Sequence, residues 1–263
     1  MYTYDSRVRY SELGQDGKLS LFSLLNYFQD CSTFHSEDIG LGIDYLMSKG
    51  LVWVMSAWQI VVDRYPALGE ELVIGTMPYE FRSVIGYRNF VLKTKAGEQL
   101  ACANAIYTLL DVEKGRPAKP TPEMLTGYVL EERLPMDYAP RKISIPEESH
   151  EGTPKGGIVL PPIEVIRHHL DTNNHVNNGQ YINLALDFLH EKLLSGSSIR
   201  QLRAEYRKAA VLGDIMYPRM VTFAENNESD DKANEIESTD FTIISLQDEQ
   251  GNPYCVTEFR WKA

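Results

Sequence analysis

The groups able to do chemistry crowd into one stretch, Arg167 to Tyr181, which reads Arg-His-His-Leu-Asp-Thr-Asn-Asn-His-Val-Asn-Asn-Gly-Gln-Tyr. It holds one carboxylate, Asp171, four asparagine amides, Asn173, Asn174, Asn177 and Asn178, and three imidazoles, His168, His169 and His175. Apolar residues follow at helical spacing from Tyr181 through Ile182, Leu184, Ala185, Phe188 and Leu189, which predicts a helix over 181–194. Asn177 and Asn178 suit its N-cap, because a short side-chain oxygen accepts from the free amides of a first turn. A strand or loop therefore delivers the cluster to a helix N-terminus, where unpaired N–H groups and the positive end of the helix dipole meet. Such a place can bind an anion or stabilise an oxyanion. The same residues also fit a plain polar loop with an Asx cap.

The elements that must hold this cluster are legible on either side of it. A strand reading over Tyr4–Tyr10 is followed by a polar turn at Gly14–Gly17. A helix then begins after the capping residue Ser20, with Leu21, Leu24, Leu25, Phe28 and Cys31 on one face. The stretch 40–50 reads as a glycine-containing loop. Leu51–Val62 is rich in Val, Trp and Ile and reads as a strand buried on both faces. Strands at Leu72–Met77, Tyr87–Lys95 and Gln99–Asp111 follow, the last two forming a hairpin about Gly97. Most of the thirteen prolines fall between Pro117 and Pro162, where charge is high and periodicity weak, with a short helix at Pro122–Gly127. Beyond the cluster, Ser198–Val211 and Ile215–Ala224 read as strands. An acidic run at Glu225–Glu237 precedes a last hairpin, Phe241–Leu246 with Tyr254–Trp261.

Composition narrows the function classes. The chain has 263 residues, 43% hydrophobic and 24% charged, which is ordinary globular material. A net charge of −11 argues against nucleic acid or an anionic membrane as the main partner. Three scattered cysteines, Cys31, Cys102 and Cys255, show neither metal spacing nor a disulfide framework, which suits a reducing cytosol. No secretory signal and no membrane-length apolar run are visible, so a cytoplasmic, soluble protein is expected. No metal or organic cofactor is indicated.

The chain repeats itself. Both halves run strand, polar turn, long helix and antiparallel strands. Leu13 aligns with Leu170, Leu68-Gly69-Glu70 with Leu212-Gly213-Asp214, and Gly97 with Gly251. One helix on a curled sheet buries one face of each, so two such units are expected to need each other as an internal pseudo-dimer. The domains are expected at 1–125 and 161–263, joined by a connector at 126–160. Opposite Asp171, Asn173 and His175 the first half has Gly14, Asp16 and Lys18, so the chemistry is expected in the second half alone.

Leu170-Asp171-Thr172-Asn173-Asn174-His175-Val176-Asn177-Asn178, Tyr181-Ile182 and Glu205-Tyr206-Arg207-Lys208 together resemble the acyl-acyl carrier protein thioesterases of plants and their bacterial relatives. Leu51-Val52-Trp53-Val54-Met55-Ser56, Val62-Asp63-Arg64-Tyr65-Pro66 and Gly69-Glu70 carry the resemblance into the first half. It implies an α+β fold, a tandem (double) hot-dog in which each half curls an antiparallel sheet around a long helix. It implies hydrolysis of a fatty-acyl thioester on acyl carrier protein, with the first half shaping chain-length choice. Carried over by position, the catalytic residues fall on Asp171, Asn173 and His175. Asp171 would act as nucleophile or general base, His175 would shuttle a proton or orient the acid, and Asn173 would donate an amide hydrogen. On an extended segment their two-residue spacing would put all three on one face. The helix N-terminus at Asn177 and Asn178 would stabilise the oxyanion.

One departure stands out. Where the family often has a glutamate, followed in plants by a cysteine, this chain has Ala209 and Ala210. Glu205 shares strand parity with Ala209 and is the substitute candidate for a catalytic carboxylate. The acidic carrier protein would need a local basic patch, from Arg203, Arg207 and Lys208 or from Arg141 and Lys142. Alternatives are an acyl-coenzyme A thioesterase, a non-hydrolytic acyl-thioester binding or regulatory protein, and a dehydratase of the same fold. A homodimer of the whole chain is a further possibility. Trp53, Trp58 and Tyr65 read as core or tunnel lining, and His35 as structural.

Overall fold

The computed structural model describes residues 1–145, 157–189, 198–223 and 241–261. The chain divides into two compact units, Met1–Arg141 and Lys142–Ala263.

In the first unit five long strands lie antiparallel in the order β1-β3-β4-β5-β2: β1 Tyr2–Arg7, β2 Leu51–Val62, β3 Glu71–Arg82, β4 Ile85–Thr94 and β5 Gln99–Asp111. A two-residue strand, β6 Arg116–Pro117, adds to β5. Helix α1, Leu21–Asp38, starts where Ser20 accepts from the Ser23 N–H, the sequence-predicted cap. Its buried positions Leu21, Leu24, Leu25, Phe28 and Cys31 are the ones the periodicity picks out. Phe28 meets the rings of Trp58 on β2 and Phe90 on β4, and Cys31 Sγ reaches Ile74 O on β3, so α1 lies on the sheet. Trp58 is core, and Trp53 stacks on Phe81. All three cysteines are free and buried, and burial pushes the Cys31 thiol up to about 12.

The second unit repeats the plan. Its strands run β9-β12-β11-β10: β9 Ile199–Tyr206, β10 Ile215–Phe223, β11 Phe241–Gln247 and β12 Pro253–Trp261. The two-residue strands β7, Ile158–Val159, and β8, Ile163–Glu164, both pair with β10. Helix α4, Asn178–Leu186, packs against β11 and β12.

The repeat holds bond for bond. Leu13 bridges Leu19 as Leu170 bridges Val176. Gly69 N–H donates to Val8 O as Gly213 N–H donates to Val165 O, and Val8 N–H to Glu70 O as Val165 N–H to Asp214 O. At the hairpin tips Gly97 N–H donates to Thr94 O as Gly251 N–H donates to Asp248 O, both glycines at positive φ.

The structure corrects several boundaries. The expected loop at 40–50 contains helix α2, Ile43–Ser48, too short to show a period. β1 ends at Arg7, and Tyr10–Glu12 is a 3₁₀ turn. The helix expected over 181–194 begins at Asn178 and gives way at Asp187–Leu189 to a 3₁₀ turn, while 190–194 lie outside the described residues. The strand expected over 198–211 stops at Tyr206, with a bend at Lys208. The acidic run at 225–237 lies outside the described residues.

The proline-rich stretch is not a bare connector. Thr121 caps α3, Pro122–Gly127, as the sequence predicts. Beyond it, Asn89 Oδ1 accepts from Leu134 N–H and the Tyr138 hydroxyl. Gln59 donates to Asp137 O and accepts from Ala139 N–H. Two buried amides thus strap residues 134–139 to the first unit. Ile143, 1% exposed, belongs instead to the core of the second with Val221, Phe223, Ile243 and Val256. The segment 146–156 lies outside the described residues.

His35 on α1 accepts from Arg88 Nη1 at 2.9 Å and stacks on Tyr2. Burial first, then the cations of Arg88 and the amino terminus, lower its pKa to about 4, against the opposing pull of Glu131 and Asp38. A value below the ordinary 6.5 means that the unfolded chain takes up the proton first. Stability is therefore expected to fall as pH drops from 6.5 towards 4, by about 1–2 kcal/mol once the solvent screening of a half-buried ring is allowed for. Urea midpoints across that window, flatter in His35→Phe than in the unaltered protein, check it.

Candidate active site

The bridge between Leu170 and Val176 pinches residues 171–175 into a tight loop. Asp171 N–H donates to His175 O at 2.7 Å, and Asn174 N–H to Asp171 O at 3.1 Å. Asn174 makes the turn at φ 59°, a left-handed conformation that asparagine tolerates better than most residues. Inside the loop Asp171 Oδ1 accepts from Asn173 N–H at 2.8 Å and from His175 N–H at 3.2 Å.

This geometry corrects the extended-segment reading. Asp171, Asn173 and His175 share a folded-back loop, not one face of a strand. The carboxylate bonds backbone amides, and among the described residues neither the Asn173 amide nor the His175 ring bonds to it. Asp171 is half-buried, while Asn173 and His175 are exposed.

Two neighbours complete the site. Asn177 is the N-cap of α4, its Oδ1 accepting from Gly179 N–H at 2.8 Å, so Asn178 is the first helical residue. The segment leaving β9 runs alongside: Val176 N–H donates to Ala210 O at 2.9 Å and His175 bridges Val211. Ala209, exposed, and Ala210, fully buried, therefore stand beside the loop. Asn177→Ala removes the cap acceptor and is expected to cost about 1 kcal/mol, read as a thermal shift, and to weaken any anion bound at the helix start.

Sequence reasoning missed two tyrosines here. Tyr181 Oη accepts from Ala210 N–H at 2.8 Å, and Tyr206 Oη donates to Asn178 O at 2.8 Å. They clamp the β9 exit to the helix start. Comparing the halves would have flagged them, since the repeat puts Leu24 and Val62 at the matching positions.

Glu205 is engaged by other partners. It is 6% exposed on β9, and its Oε2 accepts from Ile143 N–H at 2.9 Å and Arg207 Nη2 at 2.8 Å. The parity argument linking it to Ala209 lapses because β9 ends at Tyr206. In the proposed basic patch Arg203 pairs with the buried Glu258, while Arg207 and Lys208, paired with Glu205 and Asp248, remain exposed. Arg141 and Lys142 are exposed. His169 is buried, accepts from Ile166 N–H at Nδ1, and is held below the usual histidine range by burial and then by His168.

The first unit builds the same loop without this chemistry. Gly14 N–H donates to Lys18 O at 2.8 Å, and Gly17 takes the left-handed position at φ 74°. Gly14 has no side-chain acceptor, and the carboxylate of this loop is Asp16, whose Oδ1 accepts from Lys18 N–H at 3.1 Å. The fold accounts for the loop but not for Asp171. Among the described residues no three His, Cys, Asp or Glu side chains converge where a metal could sit, and none of the helices there is long and apolar enough to cross a membrane.

The comparisons agree over almost the whole chain. Residues 1–128 match the acyl-ACP thioesterase N-terminal domain, and residues 159–263 match the C-terminal domain. A chloroplastic palmitoyl-acyl carrier protein thioesterase of Gossypium hirsutum is 24% identical over 242 residues, 87% of this chain and 57% of that protein. A chloroplastic dodecanoyl-acyl carrier protein hydrolase of Cinnamomum camphora is 23% identical over 220 residues, 80% of this chain and 56% of that protein. The chain thus spans about half the length of these relatives. An acyl-ACP thioesterase from Bacteroides thetaiotaomicron superposes with TM-score 0.81 at 20% identity, covering 99% of this chain and 97% of that one. A 12:0-ACP thioesterase from Umbellularia californica gives 0.81 at 18%, covering 99% and 93%. Each unit accordingly has the hot-dog fold, a helix on a curled antiparallel sheet. With both family domains matched in order, the chain belongs to the acyl-ACP thioesterase family.

Proposed function

We propose that the chain hydrolyses a fatty-acyl thioester carried on acyl carrier protein, ending chain elongation. The observation that carries this reading is Asp171: a half-buried carboxylate at a position where the sister loop has glycine and keeps only the exposed Asp16. Its Oδ1 is fixed by two backbone donors, which leaves Oδ2 for the reaction. In this reading Oδ2 takes a proton from water as the water oxygen attacks the thioester carbonyl. Asn173 and the start of α4 stabilise the oxyanion. The C–S bond then breaks and the thiolate leaves with the proton, relayed through His175, giving one carboxylic acid and one thiol. General-base action is favoured over an anhydride because Asp171 is the sole carboxylate on the loop, and an anhydride would need a second base to be hydrolysed. Arg141 and Lys142, exposed and adjacent, are the cations for an acidic carrier. The internal pseudo-dimer, a homodimer and a cytoplasmic, reducing setting complete the reading, the last supported by three free buried cysteines.

Ala209 supports a second reading, a protein that binds acyl thioesters without cleaving them. Thiol release from acyl-carrier-protein and acyl-coenzyme A thioesters of eight to eighteen carbons separates the two. Release faster from the carrier protein supports the proposal, release faster from coenzyme A reassigns the carrier, and binding with no release supports the second reading.

A further inference from the structure

Arg88 on β4 is 7% exposed and has no acidic partner among the described residues. Among the described residues the buried acids of the second unit are all paired: Glu205 with Arg207, Glu258 with Arg203 and Arg260, Asp248 with Lys208. Around Arg88 the groups are neutral. Nη1 donates to His35 Nδ1 at 2.9 Å and approaches Thr76 Oγ1 at 3.3 Å, and the guanidinium lies 5.4 Å from the Tyr128 ring centre. The acids nearest His35 are engaged elsewhere, Asp38 by the Tyr2 hydroxyl and Glu131 by the amino terminus. A charge this deeply buried without a counter-charge is costly, and the fold does not require it. The sister strand places Thr242, 1% exposed, at the matching register position, since Pro78 pairs with Arg88 as Thr222 pairs with Thr242.

Both contacts fall on Nη1. Nε and Nη2 have no acceptor among the described residues, and they form the edge of a guanidinium that holds a carboxylate in two parallel hydrogen bonds. The surroundings are apolar and aromatic. Tyr128 joins a buried cluster with Leu41, Leu109 and Met124, and Phe81 packs on its ring. We propose that Arg88, with His35 and Tyr128, forms a carboxylate-binding site in the first unit that takes a free fatty acid. This goes beyond the hydrolase reading, because it places a second ligand site in the first unit, on residues other than the Asp171 loop, and needs no turnover.

Calorimetric titration of the full chain with decanoate, 1-decanol and inorganic phosphate tests it. Decanoate is expected to bind at least tenfold more tightly than decanol. That preference should fall to within twofold in Arg88→Met and persist in Asp171→Asn. Arg88→Gln serves if the methionine variant does not fold, and the acid–alcohol comparison in the unaltered protein needs no variant. Equal affinity for acid and alcohol overturns the proposal. So does a preference that survives at position 88 but is lost in Asp171→Asn, which would place the acid at the catalytic loop. Displacement of decanoate by phosphate at similar concentration would mean a small-anion site and also overturn the fatty-acid assignment.

Discussion

Asp171→Asn is expected to lower kcat for thioester hydrolysis by about 10²–10⁴-fold, the usual worth of a positioned general base, while the protein stays folded. The substitution isolates charge from shape. Asparagine keeps an oxygen where Oδ1 accepts from the Asn173 and His175 amides, so the loop should hold its geometry and the melting temperature should move little. Asp171→Ala removes the acceptor as well. In the first unit Asp16 Oδ1 accepts from the matching Lys18 amide, so each loop uses a carboxylate acceptor, and losing it should cost near the ordinary worth of a hydrogen bond, about 1 kcal/mol. Steady-state thiol release and thermal melts on both variants give the answer. Full activity in Asp171→Asn would remove the carboxylate from the mechanism. A large loss of both activity and stability in the asparagine variant would make Asp171 a loop residue first.

The sequence made the regular elements plain where side-chain pattern and backbone need coincide. Leu51–Val62 and Gln99–Asp111 are strands end to end, because long β-branched and apolar runs bounded by turns leave few alternatives. Ser20 and Thr121 cap their helices as their types suggest. Failures came where one residue's partner lies far along the chain. The 134–139 strap carries proline and charge like a linker, and only the buried amides of Asn89 and Gln59 show why it is ordered. The Asp171 loop has the alternate-residue spacing of a strand. Its course is set instead by a left-handed Asn174 and a short bond from Asp171 N–H to His175 O, neither of which periodicity registers. The residue types of the candidate site were legible and their arrangement was not. Asp171, Asn173 and His175 fall on one loop, whereas the parity that linked Glu205 to Ala209 ends with β9 at Tyr206.

Glu205→Ala should separate structure from catalysis in the opposite direction to Asp171→Asn. Glu205 is the centre of a clamp: its Oε2 accepts from Ile143 N–H and Arg207 Nη2, and Arg207 also donates to Ile143 O at 3.0 Å. The Glu205 side chain is 8% exposed and that of Arg207 30%. Truncation leaves a buried amide without an acceptor and a guanidinium without its counter-charge, and it loosens Ile143 in its core cluster. A loss of about 3 kcal/mol is expected. With a urea slope of roughly 1–3 kcal/mol/M, that is a midpoint shift of about 1–3 M. Under conditions where the variant is folded, kcat should stay within about threefold. A fall of a hundredfold or more with an unchanged midpoint would instead make Glu205 the missing second carboxylate. The double variant Glu205→Leu, Arg207→Met closes the argument. It removes both charges together, and replacing a buried pair by apolar groups is often close to neutral. It should therefore recover part of the stability lost in Glu205→Ala, short of the Ile143 hydrogen bond that no apolar side chain can replace.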